Sequence, residues 1–133
     1  VGSEMCIRDS YQLIPANCRN IAKTFSCHQA IASDSAFSLA MVAEFSEPIN
    51  NAAWQYRYLF WETGLIGQVL YLEAEAAGVR GTGIGCYFDD SVHQVLGLTD
   101  HIFQSMYHFT VGTPLEDKRL ETLPAYTHLN KKL

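Results

Sequence analysis

The sequence predicts one mixed unit of helices and short strands, α+β or α/β in class. Three observations carry this. Helical and strand patterns alternate along the chain in the order helix, strand, long helix, strand, short helix, strand. A stretch from Ala52 to Ala77 is apolar on every helical face, which marks a buried helix. Ser105 to Gly112 sets Tyr107, Phe109 and Val111 against Met106, His108 and Thr110, the period of two that marks a strand. No internal repeat, low-complexity segment or Gly/Ser/Pro linker divides the chain.

The elements follow in order. Residues 1–10, Val-Gly-Ser-Glu-Met-Cys-Ile-Arg-Asp-Ser, have neither a helical nor a strand period. Their codons fit a transposase-type sequencing-library adaptor read in frame, so they are set aside from the fold. On that reading the native protein extends upstream of Tyr11. Tyr11 to Pro15 is a short strand or an extended lead-in. Asn17 to Ser26 carries Ile21, Ala22 and Phe25, a short helix with Asn17 as its N-cap. Phe37 to Phe45 is a compact apolar run in which Phe37, Leu39 and Met41 alternate, hence a strand. Glu47 to Asn51, with Pro48, is expected to be a loop.

The long helix then runs from about Ala52 to Ala77. A membrane span is excluded because Arg57, Glu62 and Gln68 interrupt it, and a spanning helix needs about 20 mostly apolar residues. Gly64 and Gly67 lie on one side of it, each costing about 1 kcal/mol in helix propensity, with close approach of a backbone or ligand as the expected return. Gly78 suits the position just past its C-terminus. Gly81-Thr82-Gly83-Ile84-Gly85-Cys86-Tyr87-Phe88 is a glycine-rich approach to a short strand. Ser91 and Gln94 have capping-box spacing and open a short helix from Val92 to Leu96, closed by Gly97. Asp89 and Asp90 sit favourably at that N-terminus. Thr113-Pro114 ends the last strand, and the tail to Leu133 is extended or irregular.

Composition limits the function. The chain has 133 residues, a formal charge of −5, 48% hydrophobic residues and only nine Lys and Arg. That is globular composition, and the acidic balance argues against nucleic-acid binding. Four cysteines are too few and too irregularly spaced for a disulfide scaffold. With no apolar leader segment, they suggest a cytoplasmic protein.

The glycines of 81–85 are not a dinucleotide fingerprint, which needs strand, then G-x-G-x-x-G, then helix. Here helix precedes and strand follows, and Cys86 stands where the third glycine should be. Two readings stay open: a plain tight connection, or bare backbone able to approach a flat ligand. Lys118 and Arg119, after the Gly112-Thr113-Pro114 turn, are either a phosphate clasp or a solvated surface pair. Cys27-His28 is poor geometry for a dyad, and no Cys/His spacing suggests zinc. His93, His101 and His108 fall in different elements, and Asp89-Asp90 is better explained by helix capping than by metal ligation. No serine nucleophile elbow is present.

Taken in order, Tyr56-Arg57-Tyr58, Glu62 through Leu72, Ala76-Ala77-Gly78, Gly83-Ile84-Gly85, Asp89-Asp90, Leu96-Gly97-Leu98 and Tyr107 through Gly112 resemble the C-terminal half of nitroreductase-fold flavoproteins. Within that family the series is most similar to the SagB/ThcOx-type dehydrogenase branch. The similarity covers Tyr56 to Tyr126 most firmly. It implies an α+β nitroreductase-like domain, truncated at its N-terminus, with residues 11–133 as its C-terminal part. It implies FMN as cofactor, hydride transfer through the flavin N5, a small-molecule substrate, and a homodimer built through helix 52–77. Gly83, Ile84 and Gly85 would pass beside the flavin ring. Arg119, less directly Lys118, would hold the phosphate, and Gln68 would face the dimer and cofactor region. No metal is implied.

Two departures stand out. The arginine/serine phosphate motif of the family's N-terminal half is absent. Asn50-Asn51 stands where the SagB branch commonly has a Lys-Tyr pair, which puts azoline oxidation in doubt. The alternative is a nitroreductase-like domain without FMN, acting as a binding or assembly module. On either reading the isolated segment would expose a large apolar surface and is expected to be inactive alone.

Overall fold

The computed structural model describes residues 11–130. The adaptor reading of residues 1–10 lies outside them, as do residues 131–133. The elements are α1 (Arg19–Phe25), α2 (Ala30–Asp34), β1 (Phe37–Glu44), α3 (Ser46–Asn51), α4 (Gln55–Ala76), β2 (Arg80–Ile84), α5 (Asp89–Leu96), β3 (Phe103–Gly112) and a 3-10 turn, Thr127–Asn130. The class is α+β. Among the described residues the strands form one antiparallel sheet in the order β1-β3-β2. The last strand in sequence is therefore central, and it is the most buried.

β3 divides the molecule. On one face Tyr107, Phe109 and Val111 meet Leu39 and Met41 of β1 and the inner side of α4, at Leu70 and Ala74. Phe109 is 0% exposed there, burial worth about 1.5–3 kcal/mol. The opposite face carries Thr110, His108 and Met106, covered by the short helices α1, α2 and α5.

A bulge sets the register. Met41 pairs with Tyr107 and Val42 with Ser105, so Met106 is an extra residue on β3. In a regular strand Ser105 and His108 would point to opposite faces; the inserted residue reverses that parity and brings them together.

The N-terminal helix starts at Arg19, with Cys18 rather than Asn17 at the cap position, one residue later than expected; Asn17 Oδ1 still accepts a bond from the Arg19 N–H at 3.1 Å. Arg19 then fastens α1 to α2 by donating from Nη1 to the carbonyls of Ser33 and Ser35.

Three expectations are corrected. The stretch expected as a loop at 47–51 is the helix α3, because Pro48 lies in its first turn, where the missing N–H costs nothing. Gly81 and Gly83 lie within the strand β2 rather than ahead of it, and residues 85–88 leave the sheet. The short helix begins at Asp89 with Phe88 at its cap and no side-chain capping bond, so Ser91 and Gln94 make no capping box; Asp89 and Asp90 occupy its first turn. The closing glycines hold: Gly78 and Gly97 both take positive φ, at 73° and 72°.

Candidate functional site

The glycines of β2 are bare for different reasons. A methyl group on Gly81 would stand 2.7 Å from Phe109 Cζ, and one on Gly83 would stand 2.7 Å from Tyr107 Cζ. Both faults follow from aromatic rings laid over the strand backbone. A methyl on Gly85 meets nothing within 4 Å. Gly85 is exposed, and its N–H donates to no group among the described residues. The segment thus passes from glycines that are packed to one that faces open space.

Three tyrosines frame this segment. Tyr71 of α4 accepts the Gly83 N–H on its hydroxyl at 2.7 Å, so that donor is already committed. Tyr107 lies against Gly83 and Gly67; a methyl on Gly67 would come within 2.9 Å of its ring. Burial raises the Tyr107 phenol above its ordinary value, with Tyr71 adding to the effect. Tyr87 follows the glycines directly and points inward, donating to the Ser105 carbonyl at 3.1 Å and stacking on His108 at 4.1 Å. Burial, and then the nearby Asp89 and Tyr56, raise its phenol.

Behind Tyr87 lies a buried polar cluster. His93 Nε2 accepts the Ser105 N–H at 2.9 Å, which places that ring's proton on Nδ1. Ser105 Oγ and His108 Nε2 are 2.9 Å apart. Burial lowers the His108 pKa, favouring the neutral ring. Every member is bonded, so the cluster acts as a lock joining α5, β3 and the exit from β2.

The remaining sequence candidates lie apart from this frame. Gln68 is exposed on α4, three residues before Tyr71 and on the same side of the helix. Arg119 lies in the irregular tail and is held by its neighbour: Nε donates to Asp117 Oδ1 at 2.8 Å and Nη2 to Oδ2 at 2.5 Å. The pair holds the Asp117 carboxyl below its usual range. Lys118 is exposed beside it. The structure therefore groups Gly83, Ile84 and Gly85 with the side of α4 that carries Gln68, while the bonds of Arg119 are all to Asp117.

Sequence reasoning missed Tyr71 and Tyr107 as framing groups. Spacing held a signal for each: Tyr71 is one turn from Gln68, and Tyr107 opens the alternating face of β3. It also missed a cysteine pair. Cys27 and Cys86 form a disulfide with Cα atoms 6.0 Å apart, although 59 residues separate them. No local spacing encodes a contact made only by the tertiary fold.

α4 carries two stripes. Thr63, Gly67, Leu70 and Ala74 face the sheet. Tyr58, Trp61, Leu65, Val69 and Leu72, with Trp54 at the N-cap, recur at helical spacing about half a turn away, and all are exposed. No described helix is long and apolar enough to cross a membrane. No group of three or more His, Cys, Asp or Glu among the described residues is placed to hold a metal ion.

The family model described as "Nitroreductase family" matches residues 14–113. A crystal structure from Anabaena variabilis, described as that of a nitroreductase, superposes with a TM-score of 0.63 at 30% identity, covering 75% of this chain and 20% of that one. An oxidoreductase structure from Bacteroides fragilis gives 0.57 at 20% identity, over 74% of this chain and 45% of its own. NfrA1 of B. megaterium gives 0.60 at 16% identity, over 90% of this chain and 54% of its own. At these identities the last two show the fold alone. The chain spans between a fifth and about half of the length of each of these proteins. No curated protein matches it. With the family pattern running through α1 to the end of β3, the chain belongs to the nitroreductase family.

Proposed function

We propose that this chain is the C-terminal part of an FMN-dependent oxidoreductase of the SagB/ThcOx-type branch, working as a homodimer on a small-molecule substrate. The observation that carries the reading is Gly85, an exposed residue with an uncommitted N–H, open space where a side chain would be, and a rigid aromatic frame behind it. Ile84 anchors the strand end at 3% exposure, and Gly85 beside it would offer a main-chain donor to a flat cofactor. When bound, FMN would supply hydride transfer through its N5.

The chain's own residues bind and orient. Gly83 holds the strand against Tyr71 and Tyr107, which keeps the Gly85 donor in place. Gln68 lies on the same helix side and would border the cofactor. Arg119, with Lys118 beside it, would hold the phosphate by exchanging the Asp117 carboxylate for a second anion. The exposed stripe of α4 supports the homodimer. Its two tryptophans, one tyrosine and three aliphatic residues form a contiguous apolar band of the kind that marks an interaction surface.

A second reading, a family domain without FMN that serves as a binding module, is favoured by the Arg119–Asp117 pair, which leaves that guanidinium already neutralised. The test is the visible spectrum of the protein purified from cells supplied with riboflavin. Flavin absorbance that co-elutes with the protein is expected. A colourless protein whose melting temperature is unmoved by added FMN would overturn the enzyme reading in favour of the module, since a ligand bound only by the folded state must raise it.

A further inference from the structure

We infer that Cys27 and Cys86 form a reversible redox clasp that sets the rigidity of the segment leaving β2. The clasp joins two stretches that lie outside the helices and strands. On one side is the turn after α1. Cys27 and His28 both take left-handed backbone, at φ 52° and 62°, a conformation uncommon for residues other than glycine. Ser26 Oγ is fully buried with no partner among the described residues. On the other side is 85–88, which has left the sheet and begins with a glycine.

What fastens the two stretches is a short set of cross-links. The Phe88 N–H donates to the Phe25 carbonyl at 2.8 Å. Gln29 Nε2 donates to the Cys86 carbonyl at 3.4 Å, and the His28 ring meets Phe88 edge-on. The Cys27–Cys86 bond is the covalent member of that set. Cys86 is exposed and Cys27 half-buried, so a small disulfide such as oxidised glutathione can reach the pair.

The chemistry balances with glutathione as the exchange partner. One cysteine thiolate attacks a sulfur of glutathione disulfide, forming a mixed disulfide and releasing one glutathione thiolate. The second cysteine thiolate attacks the protein sulfur of that mixed disulfide and releases the other. The protein loses two electrons and two protons overall, and the glutathione disulfide is reduced to two thiols. With the bond closed, Cys86 is tied to the α1 turn and the Gly85 donor is held between two fixed points. With it open, Gly85 to Phe88 are held only by hydrogen bonds and by the ring contacts of Tyr87 and Phe88. The clasp stands on the cysteine geometry; its effect on a cofactor rests on the flavin reading above.

The test uses the 133-residue chain without flavin, so that failure of the clasp and failure of the flavin reading are separate results. The protein is equilibrated in glutathione buffers from reducing to oxidising, quenched with iodoacetamide, and weighed intact. The chain has four cysteines. Cys27 and Cys86 are expected to alkylate in reducing buffer and to escape alkylation in oxidising buffer, with a 27–86 linked peptide after proteolysis. Amide hydrogen exchange at residues 85–88 should slow by about tenfold or more on oxidation. Cys18→Ser should keep both responses; Cys27→Ser and Cys86→Ser should each lose them. Full alkylation at every ratio, a bridge between other cysteines, or equal exchange at 85–88 in both states would overturn the proposal.

Discussion

β3 and α4 are in contact, yet they differ in how the chain treats them. β3 is enclosed: six of its ten residues, from Ser105 to Val111, are buried, and two of its buried polar side chains, Ser105 and His108, are bonded to each other. α4 is more than twice as long, yet only Thr63, Gly67 and Ala74 are buried. Its apolar content is as high, but it is divided between a stripe that the sheet covers and a stripe that none of the described residues covers. The strand is the centre of a core made within the chain. The helix is half in that core and half exposed, the half to which the proposed homodimer assigns a partner.

The largest effect is expected at the enclosed end of the comparison. Phe109→Ala removes a fully buried ring against Met41, Ala74 and Tyr71 and should cost about 3–5 kcal/mol, read from urea denaturation. Next come the glycines. Gly83→Ala drives a methyl into Tyr107 and should cost about 1–3 kcal/mol. Gly85→Ala meets open space and should stay within about 0.5 kcal/mol of the parent. Equal losses at both would erase the distinction between the packed and the open glycine.

The buried histidine gives a pH signature. Burial lowers the folded pKa of His108 below the unfolded value of 6.5, so below that pH the unfolded chain takes up a proton that the folded chain refuses. Its contribution to stability is full above 6.5 and is lost as pH falls below it, with a slope of at most about 1.4 kcal/mol per pH unit. His108→Gln should flatten that part of the stability profile. The smallest effect on stability is expected on the outer stripe. Leu65→Lys, at a side 69% exposed, should leave the urea midpoint of the monomer unchanged. It should shift the elution of the protein from dimer to monomer in size-exclusion chromatography. A variant that still elutes as a dimer would move the interface off α4.

The same contrast explains how much the sequence reveals. The long helix and the alternating strand are legible because their periods are local and strong. The bounds of β1 and the closing glycines, Gly78 and Gly97, are legible for the same reason. The short strand after the long helix is legible but its place on Arg80–Ile84 is not, because its glycines have poor β-propensity and are accepted only where Phe109 and Tyr107 need bare backbone, a tertiary demand. α3 is hidden by Pro48, whose penalty vanishes in a first turn. For the candidate site, Gly83 to Gly85 stand out in the sequence through their resemblance to a known series. The Tyr71 bond to Gly83, the Arg119–Asp117 pairing and the Cys27–Cys86 bridge depend on how the chain folds back on itself, and no spacing predicts them.

The central claim is that the open end of β2 presents Gly85 to a flavin. Titration of FMN followed by flavin fluorescence, on the parent chain and on Gly85→Val, tests it most directly. The account predicts saturable binding by the parent and binding weakened about tenfold or more by Gly85→Val, about 1.4 kcal/mol, with the urea midpoint unchanged. Absence of saturable binding, or a Gly85→Val chain that binds as the parent does, would contradict it.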